Sequence, residues 1–353
     1  VDALMLSKKA LTSTLYDLMD LYRVIAPCQR DGELRFDRVS SPREIVLDYG
    51  NTAKSPKGVF FPQNEAMIKF GRQVDQFNQI KQVPLDRTPT VLLGVRPCDA
   101  RSFLLLDAVF AQGRYLDPYY QARRQNTLIV TMACASPRQT CFCHAFGSGP
   151  YDREGSDIFL RDAGDAYLVE GVSQKGRDLI YQGYLGRASQ AYLDKAVEIE
   201  AQANARLADI EPVAGIEKLL PGLFDSPIWQ EISEKCIACG TCTYACPTCH
   251  CFNIEDRVLA NSGERVRAWD SCMYQFFTQH ASGHNPRPDQ AARWRQRTMH
   301  KFEYLPRNVG LFGCVGCGRC VQSCPVRLDI RGVLRRVRAA AEAAATAGAN
   351  VEE

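Results

Sequence analysis

From the N-terminus to about Pro227 the apolar positions form short runs bounded by turn residues, the pattern of strands interleaved with helices. "VDALMLSKKALTSTLYDLMDLYRV" places its apolar residues at a helical period. "EIVLDYG", "GVFFPQ" and "TVLLGV" (Thr90 to Val95) read as strands, and the last runs through "RPCD" into the helical pattern "ARSFLLLDAVFAQ". A further apolar run, "TLIVTMAC", ends on a cysteine, and "DIFLRDAGDAYLVEG" reads as a pair of strands joined by a tight Asp/Gly turn. The pattern then turns helical through "SQAYLDKAVEIEAQANARLADI". These runs predict an α/β or α+β domain over residues 1–225.

Beyond Pro227 the pattern changes. Short helical stretches alternate with cysteine loops and no strand is evident, which predicts a mainly α-helical domain over 226–340. The boundary falls between residues 205 and 230. The alanine-rich end, "RAAAEAAATAGANVEE", predicts a tail over 341–353 that begins helical and frays.

A chain of 353 residues can bury proper cores and needs no disulfide staples. The N-terminus lacks the layout of a secretory signal. No apolar run approaches the ~18–20 residues that span a bilayer. The expectation is a soluble cytoplasmic protein with no membrane span, in which sixteen cysteines point to metal rather than disulfides. A net charge of +3 gives no argument for nucleic acid. The arginines crowd the C-terminal third, in "NPRPDQAARWRQRTMHK" and "VRLDIRGVLRRVR". These are either solvated helix faces or a surface for a negatively charged cofactor or partner.

The stretch "KCIACGTCTYACPTCHC" (235–251) holds six cysteines in seventeen residues. Within it, "CIACGTCTYACP" and the later "CVGCGRCVQSCP" both fit C-x-x-C-G-x-C-x-x-x-C-P. Zinc sites present separated cysteine pairs, whereas this spacing is the ferredoxin run for a cubane [4Fe–4S] cluster. A tight loop winding round a cubane supplies three thiolates in succession. Gly240 and Gly318 allow positive φ, and Pro247 and Pro325 turn the chain away after the fourth cysteine. In two-cluster ferredoxins the fourth cysteine serves the other cluster. One cluster then takes Cys236, Cys239, Cys242 and Cys324, the other Cys314, Cys317, Cys320 and Cys246, and the two runs must lie side by side.

Eight thiols remain. Cys98 sits where a strand gives way to a helix, whose N-terminus favours thiolate. Cys134 ends the next apolar run, and Cys141 and Cys143 follow in "TCFCHAFGSGP". Together they offer a third [4Fe–4S] site, with zinc or inert buried thiols as alternatives. Cys249, Cys251 and Cys272 lie near the first run and suggest a fourth metal centre that needs another ligand. His250, His280, His284 and His300 are candidates. Cys28 reads as a plain small residue. There is no dinucleotide fingerprint, no P-loop and no nucleophile motif.

"GVRPCDARSFLLLD", "TCFCHAFGSGP", "CPTCHCF", "WDSCM", "HASGHNPRP", "RWRQRTMHKF" and both cluster runs resemble the beta subunit of cytoplasmic sulfhydrogenases, the [NiFe] hydrogenase/sulfur reductases. They are also similar to the iron–sulfur subunit of the anaerobic sulfite reductases. The resemblance covers about residues 15 to 335. It implies an iron–sulfur relay between a flavin/NAD(P)-binding partner subunit and a hydrogenase, sulfite reductase or heterodisulfide-reductase-like subunit, with no flavin on this chain. The eight cysteines of the two runs match the family's ligands, and Cys98, Cys134, Cys141 and Cys143 match its recurrent thiols.

The expected function is electron transfer, with the chain a relay rather than a catalyst. The alternative is a reductase with its own sulfur-species site at an incompletely ligated cluster, served by the histidines and arginines of "HASGHNPRPDQAARWRQR". Arg319, Arg327 and Arg331 are expected to favour reduction of nearby clusters by their charge. Arg327, Arg331, Arg335 and Arg338 share one face at helical spacing and offer a docking surface.

Overall fold

The structure is a computed structural model that describes residues 3–71, 79–181, 185–207 and 209–349. Its strands are β1 (Leu4–Ser7), β2 (Arg23–Arg30), β3 (Glu33–Arg38), β4 (Asn64–Gly71), β5 (Gln79–Gln82), β6 (Thr90–Val95), β7 (Thr127–Met132), β8 (Ile158–Asp162), β9 (Ala166–Gly171), β10 (Gly186–Arg187), β11 (Phe252–Leu259) and β12 (Ser262–Trp269). They form an eight-stranded sheet in the order β10-β1-β9-β8-β7-β6-β2-β3 and a four-stranded sheet in the order β11-β12-β4-β5.

In the larger sheet β2, β6, β7 and β8 are parallel neighbours. All residues of β6 and β7 are buried, as expected of parallel strands covered on both faces. Side chains alternate between the two sides. Val91, Leu93 and Val130 pack in the cluster that holds Leu15 of the helix Lys8–Leu21. Leu92 and Ile129 pack in the cluster of Phe103 and Leu106 from the helix Pro97–Phe110. The hairpin β8–β9 occupies "DIFLRDAGDAYLVEG", with Gly164 in the left-handed region at its turn.

Several expectations are corrected. "EIVLDYG" is not a strand, because Ser41 and Glu44 close a capping box on a short 3₁₀ turn. The Arg96 guanidinium then takes the carbonyls of Leu47 and Tyr49 that a ladder would use. "GVFFPQ" contains the 3₁₀ turn Pro56–Val59, which sends both Phe60 and Phe61 into one core, a placement that an alternating strand forbids. The N-terminal helix is preceded by β1, and Ser7 caps it by accepting from the Ala10 amide.

The mainly helical C-terminal domain is overturned. β11 and β12 form a long hairpin there, and β12 pairs with β4 from far earlier in the chain. "FNIEDRVL" carries no apolar stripe because β11 is exposed along nearly its whole length. Its strand character comes from pairing, which the local pattern does not encode. The final helix runs Ile330–Ala349, so helix extends through most of the expected tail. Residues 350–353 of that tail lie outside the described residues.

The cysteine loops of the two halves meet at one buried ion pair. Asp99 and Arg319, both essentially inaccessible, are joined by two hydrogen bonds of 2.6 and 2.7 Å. Arg319 Nε also donates to the Thr52 carbonyl at 2.8 Å. Beside the pair, the Phe142 amide donates to the Gly316 carbonyl at 2.8 Å, and Asn51 Nδ2 to the Cys317 carbonyl at 2.8 Å. Gly316 has φ +64°, and a Cβ there would stand 2.4 Å from the Phe142 carbonyl oxygen. The matching position in the first run is Ala238, also left-handed at φ +57°.

Asp99→Asn leaves the Arg319 guanidinium buried without a counter-charge, and is expected to destabilise the chain by about 3–5 kcal/mol. Asp99→Leu combined with Arg319→Met should recover most of that loss. Urea unfolding of the three proteins checks this, and an unchanged midpoint for Asp99→Asn would show that the pair does not hold the halves together. The two runs supply an internal control for the backbone argument. Gly316→Ala should lose stability through both the clash and a left-handed penalty of roughly 1–2 kcal/mol, whereas Ala238→Gly should cost little. Thermal midpoints of the two variants make the comparison.

Candidate metal centres

The two ferredoxin-type runs have the same local build. Each carries a left-handed glycine after its second cysteine, Gly240 and Gly318, both at φ +72°. Each glycine starts a one-turn helix, Thr241–Tyr244 or Arg319–Gln322, that carries the third cysteine. Both glycines are also held by close neighbours. A Cβ on Gly240 would meet the Tyr274 hydroxyl at 2.6 Å, and one on Gly318 the Thr140 carbonyl at 2.5 Å. Pro247 lines the second pocket described below. Pro325 is exposed at the turn after Cys324.

The runs cross. A pocket of about 480 Å³ is lined by Cys236, Cys239 and Cys242 from the first run and by Cys320 and Cys324 from the second. A second pocket of about 350 Å³ is lined by Cys314, Cys317 and Cys320 from the second run and by Cys246 and Pro247 from the first. Arg297 lines both pockets.

The thiols of "RPCD", "TMAC" and "TCFC" also come together. Cys98 is the second residue of the helix Pro97–Phe110, just past the C-terminal end of β6, and Cys134 follows the end of neighbouring β7. Cys143 feels both Cys141 and Cys134, and with burial as the leading cause its thiol is pushed up to about 12. Cys98 feels Cys143 and, from the second run, Cys317. The helix N-terminus does not win at Cys98. Burial first, and then the Asp99 carboxylate, hold that thiol well above its usual value. Cys141 Sγ sits 3.8 Å from the Cys317 carbonyl, so this loop abuts the second run.

Cys249, Cys251 and Cys272 do not form a set of their own. Cys249 donates to Cys246, which lowers Cys246 well below the ordinary thiol range and raises Cys249. Cys272 donates instead to Cys251, lowering Cys251 and raising Cys272. The candidate histidines pair with each other. His250 and His300 lie edge to face at 5.5 Å, pushed by burial down to about 4 and about 3, so both are neutral near pH 7. His280 and His284 pair at 5.3 Å on an exposed turn. Cys28 is a fully buried core residue of β2.

The burial of so many thiols fits an iron–sulfur cluster better than a single ion. Among the described residues, no three His, Cys, Asp or Glu side chains converge tightly enough to hold one metal ion. A cubane spreads its thiolates around a larger body. Burial is the leading cause that raises Cys242, Cys314, Cys317 and Cys320, so the thiolate forms need a cationic partner. Cationic side chains are already there. Lys57, Arg297 and Lys301 are almost fully buried, and their contacts are carbonyls, a hydroxyl and cysteine sulfurs rather than carboxylates. Arg297 Nε has no hydrogen-bond partner. An anionic cluster would balance this excess.

These cations and Asp99 are what the sequence reading missed. Lys301 and Arg297 sit one helical turn apart in "RWRQRTMHKF", a spacing that could have flagged a shared face. The arginines expected to act by charge are otherwise engaged. Arg319 is neutralised by Asp99, Arg331 pairs with Asp329 at 2.6 Å, and Arg327 is exposed outside the final helix. Arg338 reaches back to the Pro212 carbonyl instead of standing free. In the segment expected to bind an anionic substrate, Arg293 donates to the Arg287 and Pro288 carbonyls and Arg295 stacks on Phe224.

No helix among the described residues is long and apolar enough to cross a membrane. Residues 235–328 match the family model of a 4Fe–4S dicluster domain. No solved structure matches the chain. The chain is 35% identical over 324 residues to the sulfhydrogenase 2 subunit beta of Pyrococcus furiosus, covering 91% of this chain and 94% of that protein. With crossed cysteine runs, a 4Fe–4S dicluster domain and a relative matched nearly end to end, the chain belongs to the sulfhydrogenase beta-subunit family of iron–sulfur electron-transfer proteins.

Proposed function

We propose that this chain carries electrons through three adjoining thiol sets within a larger oxidoreductase complex. The observation that supports this most directly is the crossing of the runs, with Cys324 in the pocket of Cys236, Cys239 and Cys242, and Cys246 in the pocket of Cys314, Cys317 and Cys320. Cys98, Cys134, Cys141 and Cys143 would hold a third cluster, and the contact of Phe142 with Gly316 sets them beside the second run. Bound in these sets, [4Fe–4S] clusters would supply reversible one-electron chemistry. The chain's own residues hold the thiolates, keep water from most of them and set the charge around them. Cys251 and Cys272 provide only a pair of thiols and carry no separate centre in this reading.

Cys239 is exposed, and beside it Ile237 is 63% exposed, so the first set opens to the surface. That surface is where a redox partner would approach. The relative's designation as a beta subunit supports partners for this chain too. We take these to be a flavin/NAD(P)-binding subunit and a hydrogenase, sulfite reductase or heterodisulfide-reductase-like subunit. All sixteen cysteines are free, in keeping with a reducing cytoplasm. The domain division at about residue 225 is kept as a division of cluster sets, although the four-stranded sheet draws strands from both sides of it.

Anaerobically purified chain should contain about twelve iron atoms and about as many acid-labile sulfides, that is, three cubanes. Replacing Cys98 and Cys134 by serine should reduce the iron to about eight, with the signals of the paired runs intact. Little iron with abundant zinc would overturn the reading. About eight iron atoms in the unaltered chain would leave only the two crossed sets.

A further inference from the structure

Of the three thiol sets, the middle one has a buried cation placed directly against a ligand sulfur. Lys301 Nζ lies 3.4 Å from Cys246 Sγ, 3.1 Å from Thr248 Oγ1 and 2.5 Å from the Gly313 carbonyl. Thr248 Oγ1 in turn lies 3.0 Å from the same sulfur and donates to the Gly313 carbonyl. The lysine is 5% exposed and lines the second pocket but not the first.

Its position is built into the backbone. The helix Gln290–Met299 continues as a π-helical turn over His300–Tyr304, a distortion that recurs at functional sites. Lys301 falls inside that turn. Gly313 has no room for a side chain, since a Cβ there would stand 2.8 Å from Lys301 Cα. The lysine is therefore fixed by packing on one side and by hydrogen bonds on the other.

The other sets lack such an arrangement. The first set receives a neutral donor, Gln290 Nε2 at 3.0 Å from Cys236 Sγ. In the third set the nearby Arg319 charge is cancelled by Asp99. Arg297 borders both run pockets and cannot distinguish them. Adding an electron to a cluster adds negative charge, so a fixed ammonium against a ligand sulfur in a dry pocket favours the reduced form.

We propose that Lys301 makes the cluster held by Cys246, Cys314, Cys317 and Cys320 selectively easier to reduce, so that the middle of the relay retains the electron. The inference rests on the relay reading above and assigns a positioning residue within it. The test is a redox titration of the intact, iron-replete chain followed by EPR, comparing the unaltered protein with Lys301→Gln and Lys301→Arg. Glutamine keeps hydrogen-bonding capacity without charge, and arginine keeps the charge.

The expected result is that reduction of one cluster becomes at least tenfold less favourable in Lys301→Gln, a fall of ~59 mV for a one-electron couple, with the others unmoved. Lys301→Arg should stay close to the unaltered protein. An unmoved midpoint in Lys301→Gln, or an equal fall in Lys301→Arg, overturns the inference even though the chain holds its iron. If Lys301→Gln loses one cluster, a midpoint in Lys301→Arg displaced by tenfold or more overturns the inference, and one that stays in place supports it. An unaltered chain that holds no iron sinks the relay reading itself.

Discussion

The pair Asp99–Arg319 is the contact on which the arrangement of the cysteine sets depends. One partner follows Cys98 at the end of a buried parallel strand, and the other stands between Cys317 and Cys320. Neither charge has water to fall back on, so each is stable only while the other is in place. Their union fixes "RPCD" against "CGRC", and the glycines at 316 and 318 let the "TCFC" loop come down onto the same run. Without that constraint the N-terminal sheet and the ferredoxin-type loops would be separate units, and no continuous path between thiol sets would exist.

Charge balance explains the rest of the site. Thiolates buried in groups repel one another and lose their hydration, which is why most of them resist deprotonation in this setting. Cations buried without carboxylates have the opposite problem. Lys57 is pushed downward by burial, while Arg297 is held upward because the thiolates around it outweigh the same penalty. Each group is poorly placed alone and well placed around an anionic metal–sulfide core. The site is organised for a cofactor whose charge completes it.

The four-stranded sheet makes the point about architecture. β12 pairs with β4, and Trp269 at its end donates to the Phe61 carbonyl at 3.0 Å and stacks on the Phe61 ring. Buried Arg267 ties the same strand to Glu65 and Asp117. The hairpin inserted between the two cysteine runs thus anchors them to the N-terminal half, close to where Lys57 reaches the Cys249 carbonyl.

Spacing alone determined the chemistry. Two copies of one cysteine pattern, each with its glycine and proline, specify a cubane-binding loop because the ligands come from one tight turn and leave little to tertiary context. The buried strands at 90–95 and 127–132 were equally legible, since a short continuous apolar run has few other uses. What only the tertiary structure decided is long-range. β11 has no apolar stripe and is a strand because a partner accepts its hydrogen bonds. The pairing of Asp99 with Arg319 spans 220 positions of sequence, and no local pattern marks either residue as buried. The turn that aims Lys301 at Cys246 is a packing outcome of the same kind, because Gly313 and the sulfur it serves come from different loops.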